Sequence, residues 1–599
     1  MRLVLAAALF VLTPPQAFAQ VSASTRSVGQ SRSPTLAKIF HDSDEDELRR
    51  SPLSAIGRGD LRYADRFGDL FSDTMIAERR VAARRDLTAL NGIDRATLSP
   101  ADQVSFDVFR FQMLDTLAGL RPEIVDASIV RPIDHFFGVH TFYPDFSSGE
   151  GTAPFKTLAD YENNLKRIDG FVATLDAAIA RFRQGEASGV TQPVLVVDNV
   201  IGQLDSLIAQ GVDKSPFMGP TRKYPASIPA ADQARLTAAY GAAVRDKIDP
   251  AYTRLRDFLK IEYRPHARTS VGLGQMPGGA KLYEYLVRST TTTDLTPTQI
   301  HELGLSEVAR IRAGMEAVKA RLGFKGTLAA FFVAVRNDPK LAPQSAQAFG
   351  DDFRRIKAKV EAQLPKLFVL TPKTPLEIRP VPDYVAKNQA GAYYNGGTPD
   401  GSRPGVFYYN TYDLPSRQTF TEETLFLHEG EPGHHFQISL AQENKALPAF
   451  QRFGGNTAYV EGWALYSESL GEELGLYTDP YQKFGNLSDE MLRAMRLVVD
   501  TGIHSQGWTR DRAIAYMLDN SAMGRTDATA EVERYIAIPS QALAYKVGQL
   551  TIRRLRTKAE SALGPKFDVR QFHARVLEDG ALPMAVLEAK IDRWIKATP

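Results

Sequence analysis

The chain has 599 residues, 43% hydrophobic and 24% charged, which excludes a disordered polypeptide and leaves material for a large core. Its 72 basic and 70 acidic residues give a formal net charge of +2, so no bulk field draws it to nucleic acid or to an anionic membrane. With no cysteine present, neither a disulfide framework nor a lipid-modified cysteine anchor is expected.

Met1 to Ala19 has a basic start at Arg2, an apolar run from Leu3 to Leu12, and Ala17-Phe18-Ala19 as a small-x-small cleavage site. This pattern predicts an export signal cleaved before Gln20, hence a periplasmic or secreted protein. No later stretch approaches about 20 uninterrupted apolar residues, so no membrane span is expected and the mature protein should be soluble. Residues 20–35, rich in Ser, Gln, Arg and Thr, read as a flexible N-terminus.

From Leu36 apolar residues recur at helical spacing, with breaks at Ser51-Pro52, Ser99-Pro100 and Arg121-Pro122. Ser99-Pro100-Ala101-Asp102 is a helix start leading into an amphipathic stretch to Leu120. His135 and His140 sit in HFFGVHTFYPDF, which has no clear period and reads as an aromatic loop at the mouth of a cleft. Helical patterns resume at Leu158–Phe182, Ala230–Leu259 and Pro297–Leu322. In the last of these, Thr296, Pro297 and Gln299 form a helix-start signature, and His301-Glu302 reads as surface helix because no second histidine follows. No repeat of 20–50 residues is visible, which argues against a solenoid.

Between Leu370 and Thr411 the pattern changes to short extended pieces, PLEIRPV and VFYYN, separated by the turn signals Gly396-Gly397 and Pro399-Asp400-Gly401. A small hairpin or sheet is expected there, just before the stretch that carries the chemistry.

That stretch is TLFLHEGEPGHHF, Thr424 to Phe436, followed by AYVEGWALYSE, Ala458 to Glu468. His428-Glu429 supplies an imidazole and a base in the order used by zinc-binding HExxH helices, but position 432 is proline and the next histidines are His434 and His435. On an unbroken helix neither would share an ion with His428, since residue 435 returns to the same face only about 10 Å along the axis. A bulge at Pro432-Gly433 would draw the later histidine back, His434 by preference and His435 as the alternative. Glu461 is the expected third ligand, from the next helix, and Glu468 its rival.

These segments resemble the bacterial family catalogued as domain of unknown function 885, whose pattern is His-Glu-x-x-Pro-Gly-His-His followed by Val-Glu-Gly-Trp-Ala, and which is related to helical zinc peptidases using two histidines and a glutamate. The resemblance covers most of the mature chain. It implies a mainly α fold, one catalytic domain over 36–599 with two lobes around a deep cleft, the metal site falling in 390–550. It implies an edge strand pairing with substrate, so that Tyr393, Tyr394 and Tyr409 line the cleft; the alternative is a sheet that packs its aromatics inward. It extends to Asp500-Thr501-Gly502-Ile503-His504 and to Gln541-Ala542-Leu543-Ala544-Tyr545-Lys546. A tetrahedral oxyanion needs a placed hydrogen-bond donor, and Tyr545 and His504 are the candidates.

The expected activity is hydrolysis of oligopeptide bonds with one zinc ion on His428, His434 and Glu461, and Glu429 as general base. Two imidazoles and one carboxylate suit zinc best, with manganese and cobalt as alternatives. Two other readings stand beside it: a catalytically silent exported peptide-binding protein, motivated by the broken spacing, and a metal-dependent hydrolase of non-peptide amides or esters.

Overall fold

The computed structural model describes residues 33–382, 386 and 390–598. The predicted signal segment and residues 20–32 lie outside it, whereas Ser33 to Thr35 of the expected flexible stretch already belong to a helix, Pro34–Arg50, whose first turn Ser33 caps. The protein is mainly helical with one three-stranded sheet. Among the described residues no helix is long and apolar enough to cross a membrane.

Serine or arginine followed by proline starts helix after helix in the N-terminal part: Pro52–Gly57, Pro100–Gly119 and Pro122–Ser128 all begin on the proline. Proline's fixed φ suits the first helical position, where its missing N–H costs nothing. Capping boxes start the two long helices Leu158–Ser188, from Thr157 and Asp160, and Pro297–Arg321, from Thr296 and Gln299. Two local expectations are corrected and one is refined. The aromatic segment is not all loop, because Val139–Phe146 is helical and buries His140 against Gln203. The stretch from Ala230 is helical as expected but not uniformly α: the wider π-type turns Val244–Ile248 and Phe258–Tyr263 flank the α-helix Asp249–Asp257. His301 is not on the surface: it lies at the contact with helix Pro480–Gln506, its Nδ1 2.8 Å from Thr501 Oγ1.

In the sheet, β3 (Gly405–Tyr409) is central, parallel to β1 (Leu376–Pro380) and antiparallel to β2 (Ala392–Asn395), which leaves β2 as an edge. Phe407 of β3 packs against Phe353 of helix Ala346–Glu361 and Phe426 of helix Glu422–Glu429, and so fixes the sheet to the helix that carries His428. The helix carrying Glu461, Thr457–Glu468, crosses Ala544–Leu563 at two glycines: a Cβ on Gly462 would meet Gly548 Cα at 2.5 Å. Only a residue without a side chain permits this approach, which places Glu461 against the histidine helices.

Candidate metal centre

Helix Glu422–Glu429 ends at the residue after His428, where the Gly430 amide turns back to the Phe426 carbonyl at 2.8 Å. The Glu431-Pro432 peptide is cis, and a new helix, His434–Glu443, starts after Gly433. The interruption is therefore larger than the expected bulge, separating two helices. It needs Gly433, because a Cβ there would lie 2.0 Å from the His428 carbonyl oxygen. Trp463 Nε1 donates to the Pro432 carbonyl at 2.8 Å and ties the break to the Glu461 helix.

The break folds the chain so that the His428 and His434 rings lie 4.8 Å apart and nearly perpendicular. Glu461 Oε2 stands 3.5 Å from Nε2 of each, and the three ligand atoms all lie within 4.8 Å of one another. Donors at about 2.05 Å from a tetrahedral zinc are about 3.3 Å apart, so the set fits such an ion with little movement. Among the described residues, buried Glu461 Oε2 has no hydrogen-bond partner, which fits an atom that would ligate a cation. Burial resists the Glu461 charge, and the two imidazoles overcome that resistance and hold the carboxyl well below its usual range.

Orientation comes from behind the histidine. His428 Nδ1 is 2.7 Å from Glu468 Oε1, and the other Glu468 oxygen accepts the Thr424 hydroxyl at 2.9 Å. A carboxylate on Nδ1 fixes the tautomer that leaves Nε2 for a metal. Burial opposes protonation of His428, but the neighbouring Glu461 and Glu468 carboxylates prevail and raise it to about 10. A bound cation would take the place of that proton. Glu468 is thus not a ligand, as its rivalry with Glu461 had it, but the group that aims one.

His435 is not a ligand either. Its ring points to the sheet, with Nδ1 3.0 Å from the Tyr394 hydroxyl, and burial lowers it to about 4. Glu429 closes the first helix, and its charge is felt at His428. Tyr545 sits in the first turn of Ala544–Leu563 with Arg496 4.7 Å from its ring centroid. His504 is misassigned as an oxyanion donor: Nδ1 accepts the Leu273 amide at 3.1 Å and Nε2 donates to the Tyr535 carbonyl at 2.9 Å, so no N–H remains. Tyr409 is core, packed on Phe349 and Phe353, which corrects its cleft-lining role. Tyr394 is held by His435, and Tyr393 stacks on Tyr408 at 5.0 Å. Sequence reasoning missed Thr424 and Trp463. Thr424 precedes His428 by one helical repeat and so shares its face, which was a usable signal.

A family model described as "Bacterial protein of unknown function (DUF885)" matches residues 52–591. The chain is similar to a candidate lipoprotein from Colwellia psychrerythraea, with 28% identity and a TM-score of 0.86 over 94% of this chain and 98% of that one. It also shares the fold of a candidate lipoprotein of unknown function from Shewanella oneidensis, with 18% identity and a TM-score of 0.71 over 92% of this chain and 99% of that one. The comparison with curated proteins returns no match.

Proposed function

The chain belongs to this bacterial DUF885 family, and from its metal centre we propose that it is an exported zinc-dependent peptidase of oligopeptides. The observation that carries the reading is the convergence of His428 Nε2, His434 Nε2 and Glu461 Oε2, with His428 oriented by Glu468. A zinc ion held by these three residues would supply an acidified water and polarise a carbonyl.

Glu429, adjacent to His428 in the chain, accepts the proton of the attacking water and passes it to the leaving nitrogen. Tyr545 donates a hydrogen bond to the oxyanion that forms. A peptide is favoured over other amides because β2 is an edge of the sheet, and an edge strand suits pairing with an extended backbone. The broken spacing that motivated a silent binding protein is what brings the two histidines together. Export rests on the Met1–Ala19 pattern; this chain, unlike proteins anchored through a lipidated cysteine, contains no cysteine.

The test is zinc content and peptide turnover of the purified protein beside Glu429→Gln. The variant should keep its zinc and lose about 10²- to 10⁴-fold in turnover. Equal turnover would remove Glu429 as the base; a metal-loaded parent that hydrolyses esters but no peptide would favour the non-peptide reading, and one that binds peptide without cleaving it the silent one.

A further inference from the structure

Two arginines, Arg131 and Arg268, near the far end of helix Pro480–Gln506 from the candidate metal centre form no ion pair among the described residues. Arg131 begins the loop RPIDHFFG, and only its Nε is engaged, on the Ala127 carbonyl at 3.2 Å. Arg268 spends Nε and Nη1 on the carbonyls of Thr191, Ser270 and Gly272, at 3.0, 2.6 and 2.7 Å. Both Nη atoms of Arg131 and Nη2 of Arg268 make no hydrogen bond among the described residues. Arginines of that helix differ in having a carboxylate: Arg493 pairs with Asp489 and Arg496 with Glu531.

The two loops meet on one residue. Gln192 Nε2 donates to the Ile133 carbonyl at 3.0 Å, while the Gln192 carbonyl accepts the Arg268 amide at 3.2 Å. The Gln192 amide in turn donates to the Tyr263 hydroxyl at 2.8 Å, and that hydroxyl feels both guanidinium charges. Burial depresses Arg131 to about 10 and Arg268 to about 9, the latter further through Arg131, and both stay charged at neutral pH. Asp134, whose charge acts on Arg131 without an ion pair, accepts the amides of Phe136 and Phe137 on one oxygen, both at 2.7 Å. That turn holds the two phenyl rings outward, 41% and 43% exposed. Paired half-buried cations that form no ion pair among the described residues, on a loop with exposed aromatic rings, match an anion that carries an apolar group.

We propose that Arg131 and Arg268 form a carboxylate-binding site for the C-terminus of an oligopeptide, with Phe136 and Phe137 contacting its last side chain. The identity of the ligand rests on the peptidase reading. Asp489, whose carboxylate feels His428, and His504, whose Nδ1 takes the Leu273 amide of the Arg268 loop, stand on the same helix. Their separation along it is about 22 Å at roughly 1.5 Å per residue. An extended peptide covers that distance in about six or seven residues at roughly 3.3 Å each.

The experiment measures fluorescence anisotropy of an N-terminally labelled octapeptide ending in Phe, as free acid and as C-terminal amide, on zinc-loaded Glu429→Gln protein. The acid should bind about ten- to a hundredfold tighter than the amide. Adding Arg131→Gln and Arg268→Gln should bring the acid down to the amide's affinity without changing the amide's, and Arg131→Lys should keep part of the preference. Equal binding of acid and amide, or binding of neither, overturns the site. A preference for the acid together with no peptide cleavage by the zinc-loaded parent leaves the site standing and overturns the peptidase reading instead.

Discussion

Glu461 and Glu468 lie two helical turns apart on one face of the same helix, and their different surroundings give them different work. Glu461 faces two imidazole nitrogens and keeps an oxygen without a partner; Glu468 has both oxygens occupied, by His428 Nδ1 and by Thr424. Glu468→Gln keeps an acceptor for Nδ1 but removes the charge that strengthens His428 as a ligand, so zinc affinity should fall about 10- to 100-fold while folding is retained. Competition against a chromogenic chelator reads this directly, and unchanged affinity would mean that Glu468 merely fills space. Glu461→Gln, by contrast, should abolish tight binding. At this scale residue types and spacing pointed to the three side chains that converge, His428, His434 and Glu461, because His-Glu and a glutamate one helix later are chemically specific. They did not expose the error at His504, because only the fold brings the Leu273 amide and the Tyr535 carbonyl to its two nitrogens.

Between the two histidine helices, one residue decides whether the ligands meet. Gly433 packs against carbonyls of the preceding helix, with the Leu427 and His428 oxygens 2.3 and 2.0 Å from where a Cβ would stand. Gly433→Ala must push the second helix away from the first, at a cost of about 1–3 kcal/mol from overpacking. Because the displaced element carries His434, metal binding should be lost out of proportion to that modest cost. Thermal unfolding and zinc titration of the same sample separate the two effects, and an alanine variant that binds zinc normally would show that the break tolerates a side chain. Helix starts were legible where serine precedes proline or a capping box begins, since those signals are local. The helix Val139–Phe146 was not, because Pro144 within it and a run of aromatics leave no period to read. The sheet was foreseen from its turns, but its order, with β3 between a parallel and an antiparallel neighbour, depends on a pairing across about 25 residues that no local pattern encodes.

Across the whole molecule, buried ionisable groups of opposite tendency are spread over many elements, and their balance governs stability against pH. Burial lowers His140 to about 4 and His504 and His573 to about 3, from an ordinary 6.5. The unfolded chain therefore takes up protons that the folded one refuses. Stability from these groups is complete above pH 6.5 and drains away as pH falls toward their folded values. Burial raises Glu422 to about 8 and Asp500 to about 7, so these acids do the reverse: their contribution is complete below their ordinary values and is lost as pH rises through 7 to 8. Single variants separate the opposing sets. His573 bridges the Leu367 carbonyl and the Tyr466 hydroxyl; His573→Gln should lose stability overall but narrow the acid penalty, gaining about 2 kcal/mol at pH 5 relative to pH 8 against the parent. Asp500→Asn, at a carboxyl that accepts the Tyr283 hydroxyl and the Ser540 amide, should move the same difference the other way. Urea unfolding at the two pH values measures both. If neither variant changes the gap between pH 5 and pH 8, the titration of these buried side chains is not what sets the acid and alkaline limits of the fold.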